Sequence, residues 1–212
     1  MPRVLAALRQ QEIIEHVMLT AYLAELTEWD NRGHVERIRR YAYILASDAG
    51  FGHEEAELAS IACMLHDVGK ITQPVSILKK TANLEPEEYK IAEGHTTEGA
   101  RILRGSPSPV LEAAATIALT HHERWDGSGY PSGLQGEYIP VTGRIMAVAD
   151  VFDALTTKRS YKTEVGPEAA RELIETSSGS LFDPKLVAAF SASFADFKSV
   201  LHLHTSRSTA ER

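Results

Sequence analysis

The chain has 212 residues, 43% of them hydrophobic and 24% charged, the composition of one globular domain with at most a short extension. A formal charge of −7 argues against a nucleic-acid polymer as partner, because such surfaces need a basic face, though it leaves room for a local basic pocket. The single cysteine, Cys63, excludes an internal disulfide framework and a cysteine-built zinc site.

No apolar run reaches the ~18 residues of a membrane span and no signal-peptide pattern opens the chain, so a cytoplasmic protein without membrane insertion is expected. Residues 1–27 carry a helical opening with apolar positions at Val4, Leu5, Leu8, Ile13, Ile14, Val17, Met18, Ala21, Leu23 and Leu26. It could pack on the domain, pair with a second copy as a homodimer, or continue from an upstream domain. The sequence leaves these open. Asp30-Asn31-Arg32-Gly33 reads as a break.

The next helix places His34, Ile38, Tyr41, Ala42 and Leu45 on one face. A following helix with Leu58, Ile61, Ala62 and Leu65 at i, i+3, i+4, i+7 carries His66 and Asp67 and is predicted to stop at Gly69. Cys63 lies within it as a small buried hydrophobe. After a loop over 71–83, Pro86 opens a helix with Glu87 and Glu88 in its first turn, its buried face expected at Ile91, His95, Gly99 and Ile102. Val110, Ala114, Ile117, Ala118 and His121 form another stripe, with His122 adjacent. A glycine-rich loop fills 126–136, and the helix from Pro140 carries Val148, Asp150 and Phe152. Helices over about 167–177 and 184–197 close the domain at residue 198, the second started by Asp183-Pro184; 199–212 reads as a polar, frayed tail. The class is all-α, a helical bundle of about seven or eight helices.

His34, His66, His95 and His121 thus fall at apolar positions on four helices, and Asp150 sits among Val148, Ala149, Val151 and Phe152. A buried imidazole or carboxylate must be satisfied. Imidazoles and carboxylates without thiolates suit iron or manganese at high coordination number. Six groups (His66, Asp67, His95, His121, His122, Asp150) exceed one tetrahedral ion. They suit two octahedral divalent transition metals, with Asp67 as the bridge.

His66-Asp67 with these later ligands resembles the HD superfamily of metal-dependent phosphohydrolases. His121-His122-Glu123-Arg124-Trp125-Asp126-Gly127-Ser128-Gly129-Tyr130-Pro131 looks like the defining motif of its HD-GYP branch. The resemblance covers about residues 28–195. It implies an HD-domain bundle with a glycine-rich GYP loop that hydrolyses cyclic di-GMP to pGpG and often GMP, by metal-assisted attack on phosphorus. It places the metal ligands on the same six residues and, in three-metal members, a further pair on His34 and the position of Asp30, where glutamate is the usual residue. Two and three metals are both open. It puts phosphate-contacting cations at Lys70, Arg159 and Lys162, and makes the Gly129-Tyr130-Pro131 loop a substrate mouth or docking surface. Glu123 and Asp126 are expected to steady ligand imidazoles, and Arg144 to pair with a carboxylate.

Two other readings stand beside this one. The first is hydrolysis of 3′,3′-cyclic GMP-AMP or of mononucleotides. The second is a non-catalytic module that senses cyclic di-GMP or docks a diguanylate cyclase. A receiver or sensor domain would be the regulatory partner.

Overall fold

The computed structural model describes residues 2–25, 32–157 and 165–210, with side chains at 11–24, 33–157 and 165–203. Asp30, Arg159 and Lys162 lie outside the described residues. The chain forms α1 (Pro2–Glu25), α2 (Arg32–Asp48), α3 (His53–Cys63), α4 (Val75–Leu78), α5 (Pro86–Glu93), α6 (His95–Leu103), α7 (Pro109–Thr120), α8 (Val141–Thr156), α9 (Pro167–Thr176), α10 (Pro184–Ala192) and α11 (Phe194–Ala210). Two isolated bridges, Asp126 to Gln135 and Ser178 to Phe182, are the β-type pairings among the described residues. The all-helical class therefore holds.

The excess over seven or eight helices comes from the one-turn α4 and from two breaks. At Gly94 the helix expected to run from Pro86 divides, and His95 starts α6. Against their expected burial, Ile91 is 45% exposed, because α5 stands outside the core and buries none of its residues, and Ile102 is 43% exposed, because α6 turns its His95, Thr96, Gly99, Ala100 and Leu103 face inward instead. At Ser193 the helix expected over 184–197 bends by 66° into α11. Across the bend Phe190, Phe194 and Phe197 reach one core, Phe190 meeting Phe194 at 5.8 Å and Phe197 at 4.9 Å. Ser193 also donates its hydroxyl to Asp48, at the end of α2. Beyond it, Val200 and Leu201 are buried and α11 runs to Ala210, so most of the expected frayed tail is helix.

The core is built on α8, which packs on α2, α7, α9 and α10. Its Phe152 meets Tyr41 of α2 edge-on at 5.4 Å, and Tyr41 stacks on Phe197 of α11 at 4.5 Å. Such ring pairs add about 0.5–1.5 kcal/mol each beyond the area they bury. α2 pairs with α3 and α6 with α7, and α3 crosses α7. The stripes expected on α2 and α7 face inward: Ile38, Tyr41, Ala42 and Leu45 are fully buried, as are Ala114, Ile117 and Ala118. α1 packs on α2 and on the 3₁₀ turn Val68–Thr72, with Ile14, Ala21 and Ala24 joining the core. Of the three roles open for this helix, packing on the domain is thus realised. Asp183 caps α10 by accepting from Lys185 N at 2.8 Å, and Glu88 accepts from Glu85 N at 2.8 Å to box the start of α5.

α3 ends at Cys63 rather than Gly69. Met64, Leu65 and His66 donate to Ile61, Ala62 and Cys63 carbonyls at 3.1–3.2 Å, tight i to i+3 bonds that lead into the Val68–Thr72 turn. Close approach to α6 explains the tightening. A Cβ on Gly69 would lie 2.0 Å from His95 O and 2.5 Å from Gly99 N. No single helix among the described residues is long and apolar enough to cross a membrane.

Candidate metal centre

His66 and Asp67 sit in that turn, at the seam between α3 and α6. Four ligand-bearing side chains, Asp67, His95, His121 and His122, offer atoms all within 4.8 Å of one another. A second set, His34, His66 and Asp150, does the same. All six expected ligands are therefore brought together, and His34 stands with His66 and Asp150. Asp30, its expected companion, is outside the described residues.

The imidazoles are aimed by backbone. Nδ1 of His66 lies 3.0 Å from Cys63 O, that of His95 2.6 Å from Ala92 O, and that of His121 2.9 Å from Ala118 O. A carbonyl only accepts, so each Nδ1 carries the proton and donates, and each Nε2 presents a lone pair inward. His95 Nε2 and His121 Nε2 then face each other at 3.3 Å, two acceptors with no proton between them. Asp67 Oδ1 is buried with no hydrogen-bond partner, although His95 Nε2 is 3.3 Å and His121 Nε2 3.7 Å away. Converging lone pairs and an orphaned carboxylate oxygen repel one another unless a cation lies among them. The donor set fits a metal ion.

Electrostatics agree. Burial lowers the pKa of His95 to about 4, with the charge of His121 adding to the effect against Asp67. Burial, then His121 and His95, pushes His122 well below its ordinary value. Both are held neutral, the form that binds metal. Asp67 is pulled upward by burial but held well below the carboxylate range by the positive charge around it, with Lys70 Nζ at 2.7 Å, so it is ionised. Its Oδ2 lies 3.1 Å from His66 Nε2 and 2.7 Å from Lys70 Nζ, while Oδ1 faces His95. One carboxylate thus looks into both ligand sets.

Asp153, which sequence reasoning passed over, holds the second set in place. Its Oδ2 accepts from His34 Nδ1 at 2.7 Å and its two oxygens accept from Arg37 Nε and Nη2 at 2.5 and 2.9 Å. Burial raises this carboxyl, but Arg37 and His34 outweigh it and keep it ionised. The signal was its place three residues after Asp150, one helical turn along the same face of α8.

The two carboxylates expected to steady imidazoles are used otherwise. Glu123, 3% exposed, accepts from Ser132 N at 2.8 Å and Leu134 N at 2.9 Å, tying the glycine-rich loop to the end of α7. Asp126 accepts from Ser128 N at 2.9 Å in a local turn at the surface. Arg144 pairs with a carboxylate as expected, Asp183 Oδ2 at 2.5 Å, and also donates to Ile139 O at 2.8 Å.

A cleft of about 810 Å³ opens beside this centre, lined by Lys70, His95, His122, Tyr130, Arg124 and Tyr89 among others. Of the loop residues expected at a substrate mouth, Tyr130 lines it. Gly129 and Pro131 do not. A Cβ on Gly129 would lie 2.5 Å from His122 O and 2.4 Å from Arg124 N, so its lack of a side chain is what lets the loop close on the ligand pair.

Residues 13–186 match the family model described as HD domain. A cyclic di-GMP phosphodiesterase of Thermotoga maritima is 44% identical over 178 residues, 84% of this chain and 48% of its own length. 3′3′-cGAMP-specific phosphodiesterase 2 of Vibrio cholerae is 44% identical over 173 residues, 82% of this chain and 33% of its own. The cyclic di-GMP phosphodiesterase response regulator RpfG of Xanthomonas campestris is 41% identical over 88% of this chain and 50% of its own. The chain spans half or less of the length of these curated relatives. The crystal structure of a cyclic GMP-AMP phosphodiesterase of Vibrio cholerae, V-cGAP3, superposes with a TM-score of 0.63 at 23% identity, over 90% of this chain and 50% of that one. At that identity it supports the fold.

Proposed function

Because the chain belongs to the HD domain family, we propose that it is a metal-dependent phosphodiesterase that opens cyclic di-GMP to linear pGpG, with GMP as a further product. The observation that carries this reading is the Asp67 carboxylate, which belongs to one ligand set, lies 3.1 Å from His66 of the other, and is held by Lys70 at the edge of the cleft. Relatives at 44% and 41% identity named for cyclic di-GMP hydrolysis support the substrate class.

Asp67, His95, His121 and His122 would hold one divalent transition metal, and His34, His66 and Asp150 another, iron or manganese by donor chemistry. When bound, they supply Lewis acidity at phosphorus and neutralise charge there. The chain does the rest. Carbonyl-held imidazoles keep every donor pointed inward. Lys70 Nζ, at the cleft wall, offers a cation to a phosphate oxygen as negative charge grows on it. Lys80 and Arg124 line the same cleft, so an acidic protein presents positive charge where a diester must lie. Arg159 and Lys162 belong to this proposal as further phosphate contacts. So do a cytoplasmic setting and regulation by a receiver or sensor domain or a diguanylate cyclase, as the RpfG relative's title of response regulator supports.

A second reading is 3′,3′-cyclic GMP-AMP as substrate, favoured by the Vibrio cholerae relative, which matches at the same 44% identity. The test is purified protein reconstituted with ferrous or manganous ion and offered both dinucleotides, cyclic di-AMP and mononucleotides, with products separated by chromatography. Fastest loss of cyclic di-GMP supports the first reading; loss of cyclic GMP-AMP alone replaces it with the second. Binding without turnover would make the protein a sensor. Near-normal turnover by metal-loaded Asp67→Ala would sink the mechanism.

A further inference from the structure

Of the five imidazoles in the two ligand sets, four have an Nδ1 fixed by an acceptor. His66, His95 and His121 use backbone carbonyls and His34 uses Asp153. The His122 ring has no such acceptor among the described residues, yet it must hold its plane for the set to converge. What lies against it is Tyr130. The two rings stack with centroids 4.8 Å apart and planes 29° apart. The edge of His95 meets His122 from another side at 5.1 Å and 82°, and His121 lies 4.1 Å away.

The stack is itself held. Tyr130 N donates to His122 O at 3.2 Å, closing the loop on the residue whose ring it covers. Gly129 permits that approach, and Glu123 clamps the far side of the loop through Ser132 and Leu134. The phenol is largely removed from water, and burial raises its pKa, so it stays a neutral ring at working pH. We infer that Tyr130 is a positioning residue, its ring doing for His122 what carbonyls and Asp153 do for the other imidazoles. This rests on the reading of the ligand sets as a metal centre. It requires the aromatic face and not the hydroxyl.

The test is calorimetric titration of metal-free protein with manganous ion alone, comparing wild type, Tyr130→Phe and Tyr130→Leu. Removing a group that orients a ligand costs about 10–100-fold in metal affinity, so Tyr130→Leu should weaken one of two sites by about tenfold or more, while Tyr130→Phe stays within about twofold of wild type. The other site, with His34, His66 and Asp150, should bind unchanged and shows that Tyr130→Leu is folded. Wild-type affinity in Tyr130→Leu, an equal loss at both sites, or a loss in Tyr130→Phe matching that in Tyr130→Leu would each overturn the inference. No substrate is present, so its failure is separable from that of the proposed function. Wild-type protein that binds two metals but hydrolyses no dinucleotide undoes the function alone.

Discussion

His34 and Asp153 are joined by a 2.7 Å hydrogen bond across 119 residues of chain, and Arg37 closes on the same carboxylate from one helical turn further along α2. The ligand set and the fold therefore share one buried charge. Replacing Asp153 by asparagine keeps its shape and removes the charge that faces Arg37, which is 11% exposed. Breaking a buried pair in this way costs about 3 kcal/mol. Asp153→Asn should lower the urea midpoint correspondingly and weaken one metal site. An unchanged midpoint would show the pair to be decorative.

Lys70 touches Asp67 without belonging to either ligand set. Lys70→Met should leave two metals bound per chain and reduce kcat by about 100-fold, the loss typical of one donor to a developing oxyanion. Metal analysis beside steady-state kinetics decides it. Loss of metal together with activity would place Lys70 in support of the centre instead.

The pH dependence of the metal-free protein follows from His95. Its pKa is lowered from 6.5 to about 4, so between those values the unfolded chain takes up a proton that the folded chain refuses. Stability is then full above pH 6.5 and declines as pH falls toward 4, by about 1 kcal/mol at pH 5.5 from this residue. His122 is displaced the same way and adds to the loss. Asp67 contributes only lower, as pH falls below the ordinary carboxylate range. Urea unfolding at pH 7.5 and 5.5 should show the weaker fold at 5.5, and a rise in stability on acidification would contradict these environments.

Gly69→Ala tests the seam between the Asp67 turn and α6. The added methyl would meet His95 O and Gly99 N, both backbone, and neither can swing aside. A loss of at least about 3 kcal/mol or insoluble protein is expected, at the upper end of overpacking costs. The matched control is Gly50→Ala, where no atom lies within 4 Å but φ is +92°, so its cost is backbone strain alone.

The helical class and the convergence of His34, His66, His95, His121 and Asp150 were legible because polar residues at apolar positions break a helix's period, and all five do so. Periodicity reports faces, not ends. It could not show that α3 stops at Cys63 or that Gly94 lets His95 open a helix of its own, since those breaks answer to contacts between Gly69 and α6. It also cannot name a partner. Asp153 gave no sign of being the partner of His34 because the two are 119 residues apart in sequence. Glu123 read as a support for imidazoles because its acceptors' clients are main-chain groups, which carry no residue signature. The loop's hold on His122 is likewise a contact in space, the Tyr130 ring stacked on the imidazole at 4.8 Å.

The two ligand sets differ in what must be folded before they exist. Asp67, His95, His121 and His122 come from consecutive segments of chain, α3's end through α7's end. His34, His66 and Asp150 come from α2, the Asp67 turn and α8, and meet only when the first and last thirds of the domain have docked. An ion in the first set fastens neighbours. An ion in the second would be a staple across the topology, and its binding energy would be folding energy for α2 on α8. Occupancy of such a site would accordingly gauge whether α2 and α8 have docked.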